Sequence, residues 1–296
     1  MICRQCPRLC GVERNEGEGH GFCQMPEAPV AARAALHHWE EPPISGSRGA
    51  GTVFFSGCVL RCIFCQNYAI SHEGVGKPLS AQQLRRVCDD LIKQGAHNIE
   101  LVNPTHFSSF LADFLETPLG VPVVWNSGGY ERVETLKALA GKVDIYLPDL
   151  KYLCPGLSKK YSGVEDYPAV ATAAIREMAE QTGPPVFDGD GLLVRGTVIR
   201  HLVLPGHVNE AKAVMDWVAA SFPKGAVLFS LMSQYTPFGR AQAMPGLDRK
   251  LYPGEIRGAQ RYMAALELPG FVQEAAAAGE GFIPAFDGTG IRAFSF

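Results

Sequence analysis

From Gly51 onward the apolar positions switch repeatedly between two periods. TVFFS (52–56) is a short β-type run. In SAQQLRRVCDDLIKQG, Leu84, Val87, Cys88, Leu91 and Ile92 recur at helical spacing. Ser80 with Gln83 forms a capping box there, and Gly95 stops the helix. Further strand runs fall at 98–102, 121–125, 143–151, within LLVRGTVIRHLVLPG up to Leu204, and at 226–232. Helical patterns cover YERVETLKALAG up to Gly141, residues 165–182, NEAKAVMDWVAA with Asn209 as its cap, and 254–266.

Six β-then-α units imply parallel strands joined by crossover helices, in either a doubly wound sheet or a closed or partial barrel. Both gather chemistry at the carboxyl ends of the strands. Polar residues stand at those ends: Cys58 to Cys65, Asn103-Pro-Thr-His106, Asn126-Ser-Gly-Gly129, Asp149 with Lys151, Arg200 with His201, and Ser233-Gln-Tyr235.

The composition adds boundaries. With 296 residues the chain can hold one large domain or two small ones. Hydrophobic residues at 47% and charged residues at 19% describe a globular protein with a substantial core, and a net charge of −3 gives no electrostatic case for nucleic acid or a membrane surface. MICRQCPRLC lacks the apolar stretch of a signal peptide, and no apolar run matches a membrane span, so a cytoplasmic location is expected. Nine cysteines in that reducing compartment read as metal ligands rather than disulfides.

Seven of the nine cysteines are grouped. Cys58, Cys62 and Cys65 follow the first core strand at CxxxCxxC spacing, with Phe64 before the last. A cubane four-iron cluster takes four ligands, so three thiolates leave one iron open; a zinc site completed by a distant residue is the plainer alternative. GCVLRCIFCQN resembles the cluster loop of radical S-adenosylmethionine (SAM) enzymes, CxxxCxΦC with Φ aromatic, and the likeness extends over residues 50–270. It implies a laterally open, partial (β/α)6 barrel. It also implies a [4Fe-4S] cluster whose open iron chelates SAM, reductive cleavage to a 5′-deoxyadenosyl radical, and hydrogen abstraction from a substrate. An electron donor such as flavodoxin or ferredoxin is implied as a partner.

A closer likeness is to the glycyl-radical-enzyme activases of the pyruvate formate-lyase activating type, through FSGCVLRCIFCQN, PDLK (148–151) and VIRHLVLPG (198–206). By that likeness Asp149 and Lys151 help hold the methionine end of SAM and Arg200 faces its pocket. Asn126 and Ser127 occupy an Asp-Thr position near the SAM carboxylate and a monovalent cation. Gly128 lets the backbone approach the ligand, and Phe64 packs against it. The chain departs from the pattern where Asn103-Pro104-Thr105-His106 replaces a Gly-Gly-Glu segment, where Asn126 replaces Asp, and where Gln234-Tyr235 replaces a histidine. A glycyl radical enzyme is therefore the expected partner, with a small molecule or another macromolecule as the alternative substrate. A non-catalytic iron–sulfur or zinc protein is the third reading.

Residues 1–45 form a cysteine-rich extension, 46–270 the core and 271–296 a C-terminal extension packing on it. Cys3, Cys6, Cys10 and Cys23, at CxxCxxxCx12C spacing, are enough thiols to close a site on zinc or on an auxiliary cluster. Cys88 lies on the apolar face of its helix and reads as a small core residue. Cys154 reads as an ordinary loop cysteine, and His106 either contacts the ligand or makes a structural hydrogen bond.

Overall fold

A computed structural model describes residues 2–15, 17, 19–273 and 284–291. Ten strands are hydrogen-bonded into one system: β1 (Val30–His37), β2 (Ala50–Phe55), β3 (Lys77–Pro78), β4 (Ile99–Val102), β5 (Val123–Ser127), β6 (Ile145–Pro148), β7 (Val186–Phe187), β8 (Leu193–Leu202), β9 (Leu228–Met232) and β10 (Gly270–Gln273). The order is β10-β9-β8-β6-β5-β4-β2-β1-β3, with β7 paired to β8. The six expected core strands, β2, β4, β5, β6, β8 and β9, are mutually parallel neighbours in chain order. Each is followed by helix on the outside, which is why they read as near-continuous apolar runs such as IELV and IYLP. The result is the open, partial barrel that the resemblance of the cysteine loop implies.

Three edges were not legible in the pattern. β1 lies inside the segment read as the N-terminal extension, yet pairs antiparallel with β2 and completes that edge of the sheet. β10 adds a parallel strand beyond β9. Of the described residues of the C-terminal extension, 271–273 belong to β10 and 284–291 lie on β1: Ala34 N–H donates to the Thr289 carbonyl at 2.8 Å, and Phe286 meets Phe54 edge-on. Residues 274–283 and 292–296 of that extension lie outside the described residues.

Helix limits shift in places. The helix Ala81–Lys93 carries the expected Ser80–Gln83 capping box. The helix expected over YERVETLKALAG is only Val133–Lys137. The helix Val208–Ser221 starts one residue before Asn209, with His207 at its N-cap, so Asn209 is inside the first turn and not a cap. A helix at Pro155–Ser162, preceded by Cys154, was not expected. Among the described residues no helix is long and apolar enough to cross a membrane.

Two apolar shells lie along one face of the sheet, and Val124, Ile145, Leu147 and Val198 pack on the other. One gathers Trp125, Leu101, Val53 and Cys88 under the helix Ala81–Lys93. Another carries Phe64, Tyr161, Tyr235 and Phe229 beneath the mouth. A cavity of about 810 Å³ opens at the opposite end, by the strand starts, between Pro42, Gly46, Arg48, His97, Leu228 and Gly270. It is remote from the cysteine loop.

Candidate functional site

The loop after β2 is held from three directions. Gly57, at φ 80°, donates its N–H to the Ile70 carbonyl at 2.8 Å. Asn103, itself at φ 60°, sends its side-chain amide to the carbonyls of Phe55 and Gly57. His106 is buried and bonds the Ser56 carbonyl through Nε2 at 2.6 Å. Burial lowers its imidazole to about 3, so it stays neutral. The Asn103–His106 segment is thus a brace for the root of the loop, which gives His106 its structural reading.

The thiols sit on this brace. Cys62 is buried; Cys58 and Cys65 are half-buried. Leu60 N–H points to the Cys58 sulfur at 3.4 Å, and the Cys62 sulfur is 3.0 Å from the Ser162 hydroxyl, which is 3.1 Å from the Tyr152 hydroxyl. Burial pushes the Cys62 thiol up to about 12, and the nearby Lys151 ammonium only partly offsets this. A thiolate there requires a stronger cation than Lys151, the charge an iron supplies. Among the described residues no three Cys, His, Asp or Glu side chains stand close enough to hold one metal ion. Three thiols in one short loop, short of a closed four-ligand set, suit a four-iron cluster with one open iron better than a closed zinc site. Phe64 is buried edge-on against Tyr161 (6.4 Å) and Tyr235 (6.2 Å), which makes it a wedge beneath the loop.

Opposite the thiols lies a polar wall built by register. Asn126 pairs with Val102 on one side and Leu147 on the other, Asp149 bridges to Arg200, and Arg200 pairs with Ser230. Asp149 accepts from Lys151 Nζ at 2.6 Å and from Arg200 Nε at 3.0 Å. Arg200 also donates to Asn126 Oδ1 at 2.5 Å and to Glu40 at 3.2 Å. Burial would raise the Asp149 carboxyl, but Lys151 and then Arg200 outweigh it and hold it below the usual range. The Ser127 hydroxyl takes the Gly129 N–H at 3.2 Å. Gly128 faces the loop: a methyl there would stand 3.0 Å from Leu60 and 3.7 Å from Lys151. The structure therefore brings Asn126, Ser127, Gly128, Asp149, Lys151 and Arg200 to one mouth beside Cys62.

Three further groups belong to this wall. Tyr167 is fully buried; its hydroxyl accepts the Lys151 N–H at 2.9 Å and stands within hydrogen-bonding reach of the Asp149 and Gly128 carbonyls. Glu100 accepts from Asn126 at 2.6 Å and Thr52 at 3.1 Å. Glu41 is buried with neither carboxyl oxygen hydrogen-bonded. The lone acid in NIELV was the readable signal for Glu100; nothing local marks Tyr167.

Residues 45–147 match the 4Fe-4S single cluster domain family. That span contains four cysteines, and Cys88 is spent in the core, which leaves Cys58, Cys62 and Cys65. The chain is 28% identical over 270 residues to the uncharacterized protein MJ0674 of Methanocaldococcus jannaschii, covering 87% of this chain and 72% of that one. Its fold is similar to that of Streptococcus suis SuiB bound to S-adenosylmethionine (TM-score 0.53, 14% identity, 73% of this chain). It spans about half, 47%, of the SuiB chain. It is also similar in fold to methylornithine synthase, PylB (TM-score 0.52, 13% identity, 78% of this chain and 73% of that one). At these identities the likeness to SuiB and PylB is one of fold.

Proposed function

We propose that the chain is a radical SAM enzyme of the activase-like branch, with Cys58, Cys62 and Cys65 as the three protein ligands of its cluster. The observation that carries this is the meeting of three thiols, short of a fourth, with the Asp149–Lys151–Arg200 wall at one barrel mouth. When bound, the cluster and SAM supply one-electron cleavage of the sulfonium and a 5′-deoxyadenosyl radical that takes a hydrogen atom from the substrate.

The chain's own residues do the positioning. Lys151 retains N–H donors beyond its bond to Asp149, and these suit a ligand carboxylate. Asp149 suits a ligand amino group. Gly128 carries no side chain to crowd the space beside Leu60 and Lys151, where a methyl would already be tight. Asn126, tied to Glu100 and Arg200, keeps Arg200 aimed at the mouth. A carboxamide in place of the expected Asp, already engaged on both sides, disfavours a monovalent cation there. Phe64, wedged between Tyr161 and Tyr235, fixes the pitch of the loop. A reduced flavodoxin or ferredoxin would supply the electron, and a glycyl radical enzyme the hydrogen atom.

Anaerobic reconstitution followed by dithionite and SAM tests the reading: 5′-deoxyadenosine should form in wild type and vanish in Cys62→Ala. A full cluster that yields none would overturn it. Adding a candidate glycyl radical enzyme and recording a protein radical by electron paramagnetic resonance separates the activase from an enzyme acting on a small molecule.

A further inference from the structure

The segment from Ile2 to Pro29 has no helix or strand among its described residues, only isolated bridges between Ile2 and Glu13 and between Arg14 and Gly19. It nonetheless buries Cys3, Cys6 and Cys23 and half-buries Cys10. So short a segment cannot build a core of its own: Cys6 and Cys23 are buried against the apolar clusters of the barrel, and the four thiols are gathered on that support.

All four sulfurs face donors and one another. Cys10 receives the Phe22 N–H at 3.4 Å, and Cys3 the Arg14 guanidinium at 3.7 Å. The backbone N–H groups of Arg8 and Met25 bond Cys6 and Cys23. Cys6 lies within electrostatic reach of Cys3, Cys10 and Cys23. The backbone is strained beside them: Leu9, just before Cys10, is at φ 45°, and Gln24, just after Cys23, at φ 59°. Arg61, just before Cys62 in the first loop, is at φ 54°. Non-glycine residues hold such angles where the surrounding structure over-determines them, and they cluster at ligand clamps.

We propose that Cys3, Cys6, Cys10 and Cys23 hold a second four-iron, four-sulfide cluster, closed by four thiolates. Zinc is the competing occupant. A single zinc draws its thiolates close together, whereas no three of these residues stand at single-ion spacing. The Cys58–Cys65 loop, which lies in the matched 4Fe-4S domain, likewise forms no single-ion group among the described residues. The family match begins at residue 45, so this site is additional to the single cluster it describes.

The second site is packed on the first. Arg8 Nε donates to the Val59 carbonyl at 2.8 Å, and Arg61 to Gln24 at 2.8 Å. The Phe22 ring lies 3.6 Å from the Arg8 guanidinium and 5.3 Å from that of Arg61. Cys6 shares an apolar cluster with Val59, Leu60 and Cys62. With every iron held by protein, this cluster has no position for SAM. It serves as the core of the N-terminal strap and sets the strap against the cluster loop.

The test counts metal in the full chain after anaerobic reconstitution with iron and sulfide. Wild type should hold about eight irons and eight sulfides. The triple variant C58A/C62A/C65A should keep about four of each and no zinc, with a four-iron signature by Mössbauer spectroscopy. Cys3→Ala/Cys10→Ala, with the first loop intact, should also fall to about four. One zinc and no iron in the triple variant would overturn the proposal, as would neither metal. Should the triple variant fail to fold, about four irons in wild type, unchanged in Cys3→Ala/Cys10→Ala, would overturn it equally. Iron retained by the triple variant but lost from Cys3→Ala/Cys10→Ala would instead refute the first-site reading and leave this one standing.

Discussion

Arg200 Nε donates to Asp149 Oδ1 at 3.0 Å, joining the ends of β8 and β6 directly under the cysteine loop. Asp149 also carries Lys151, so one carboxylate serves two cations that are largely withdrawn from water, Arg200 pairing with Glu40 as well. Asp149→Asn leaves Lys151 without its counter-charge and Arg200 with one acid fewer, a loss of about 3 kcal/mol. The folded pKa of Asp149 lies below the unfolded value of about 3.9. Its contribution is therefore complete above that pH and drains away as pH falls through the folded value. The melting temperatures of wild type and variant should differ by several degrees at pH 7 and converge in acid, as scanning calorimetry at a series of pH values would show.

Tyr167 ties the ends of β5 and β6 together through one hydroxyl. Tyr167→Phe keeps the packing but leaves the Lys151 N–H and one buried carbonyl short of a partner, at about 1–3 kcal/mol. Because Gly128 and Lys151 lose their common anchor, SAM binding measured by calorimetry on the reconstituted protein should weaken about tenfold. Iron content should stay unchanged, since Tyr167 touches no thiol of the loop. Unaltered SAM affinity would show that the anchor is not needed.

The barrel was legible because βα alternation repeats six times and each helix stripe has one period. The site was legible where strand ends expose polar residues in register, as at Asn126, Asp149 and Arg200. Residues acting through the third dimension were not: Tyr167 reaches the mouth from a helix start, and Glu41 enters the barrel from the β1–β2 connection. β1 escaped because VAARAALH alternates weakly and includes a charged Arg33. Phe64 was read as a ligand contact from its place in the motif, but only its neighbours Tyr161 and Tyr235 reveal the wedge.

Cys88 and Cys62 are both buried, yet they should respond oppositely to truncation. Cys88 packs in the apolar shell beside Leu84, Val87 and Leu91. Cys88→Ala should cost about 1 kcal/mol and leave iron and 5′-deoxyadenosine formation at wild-type levels. Cys62→Ala should remove the first cluster and abolish product. Iron assay with product chromatography on the two variants checks the contrast.

Glu41 offers the clearest dependence on pH. It sits fully buried at the start of the Pro42–Ser45 turn, with both carboxyl oxygens free of hydrogen bonds. Burial raises its carboxyl above the usual value; Arg200 opposes this, and Glu40 reinforces it. Glu40 and Glu100 are raised chiefly by burial as well, so with Asp149 four acids crowd one guanidinium. For a raised acid, unfolding releases protons. Stability is therefore unaffected below the unfolded value of about 4.3, falls as pH climbs from there to the folded value, and then levels off. Glu41→Gln removes one of these ionisations. It should raise the melting temperature at pH 8, by the equivalent of about 1–3 kcal/mol, and have no such effect near pH 4. The slope of stability against pH between those limits should flatten by up to one proton, the rest remaining with Glu40 and Glu100. A variant less stable than wild type at pH 8 would mean that the Glu41 carboxylate is held ionised by Arg200, and that its charge is part of the wall.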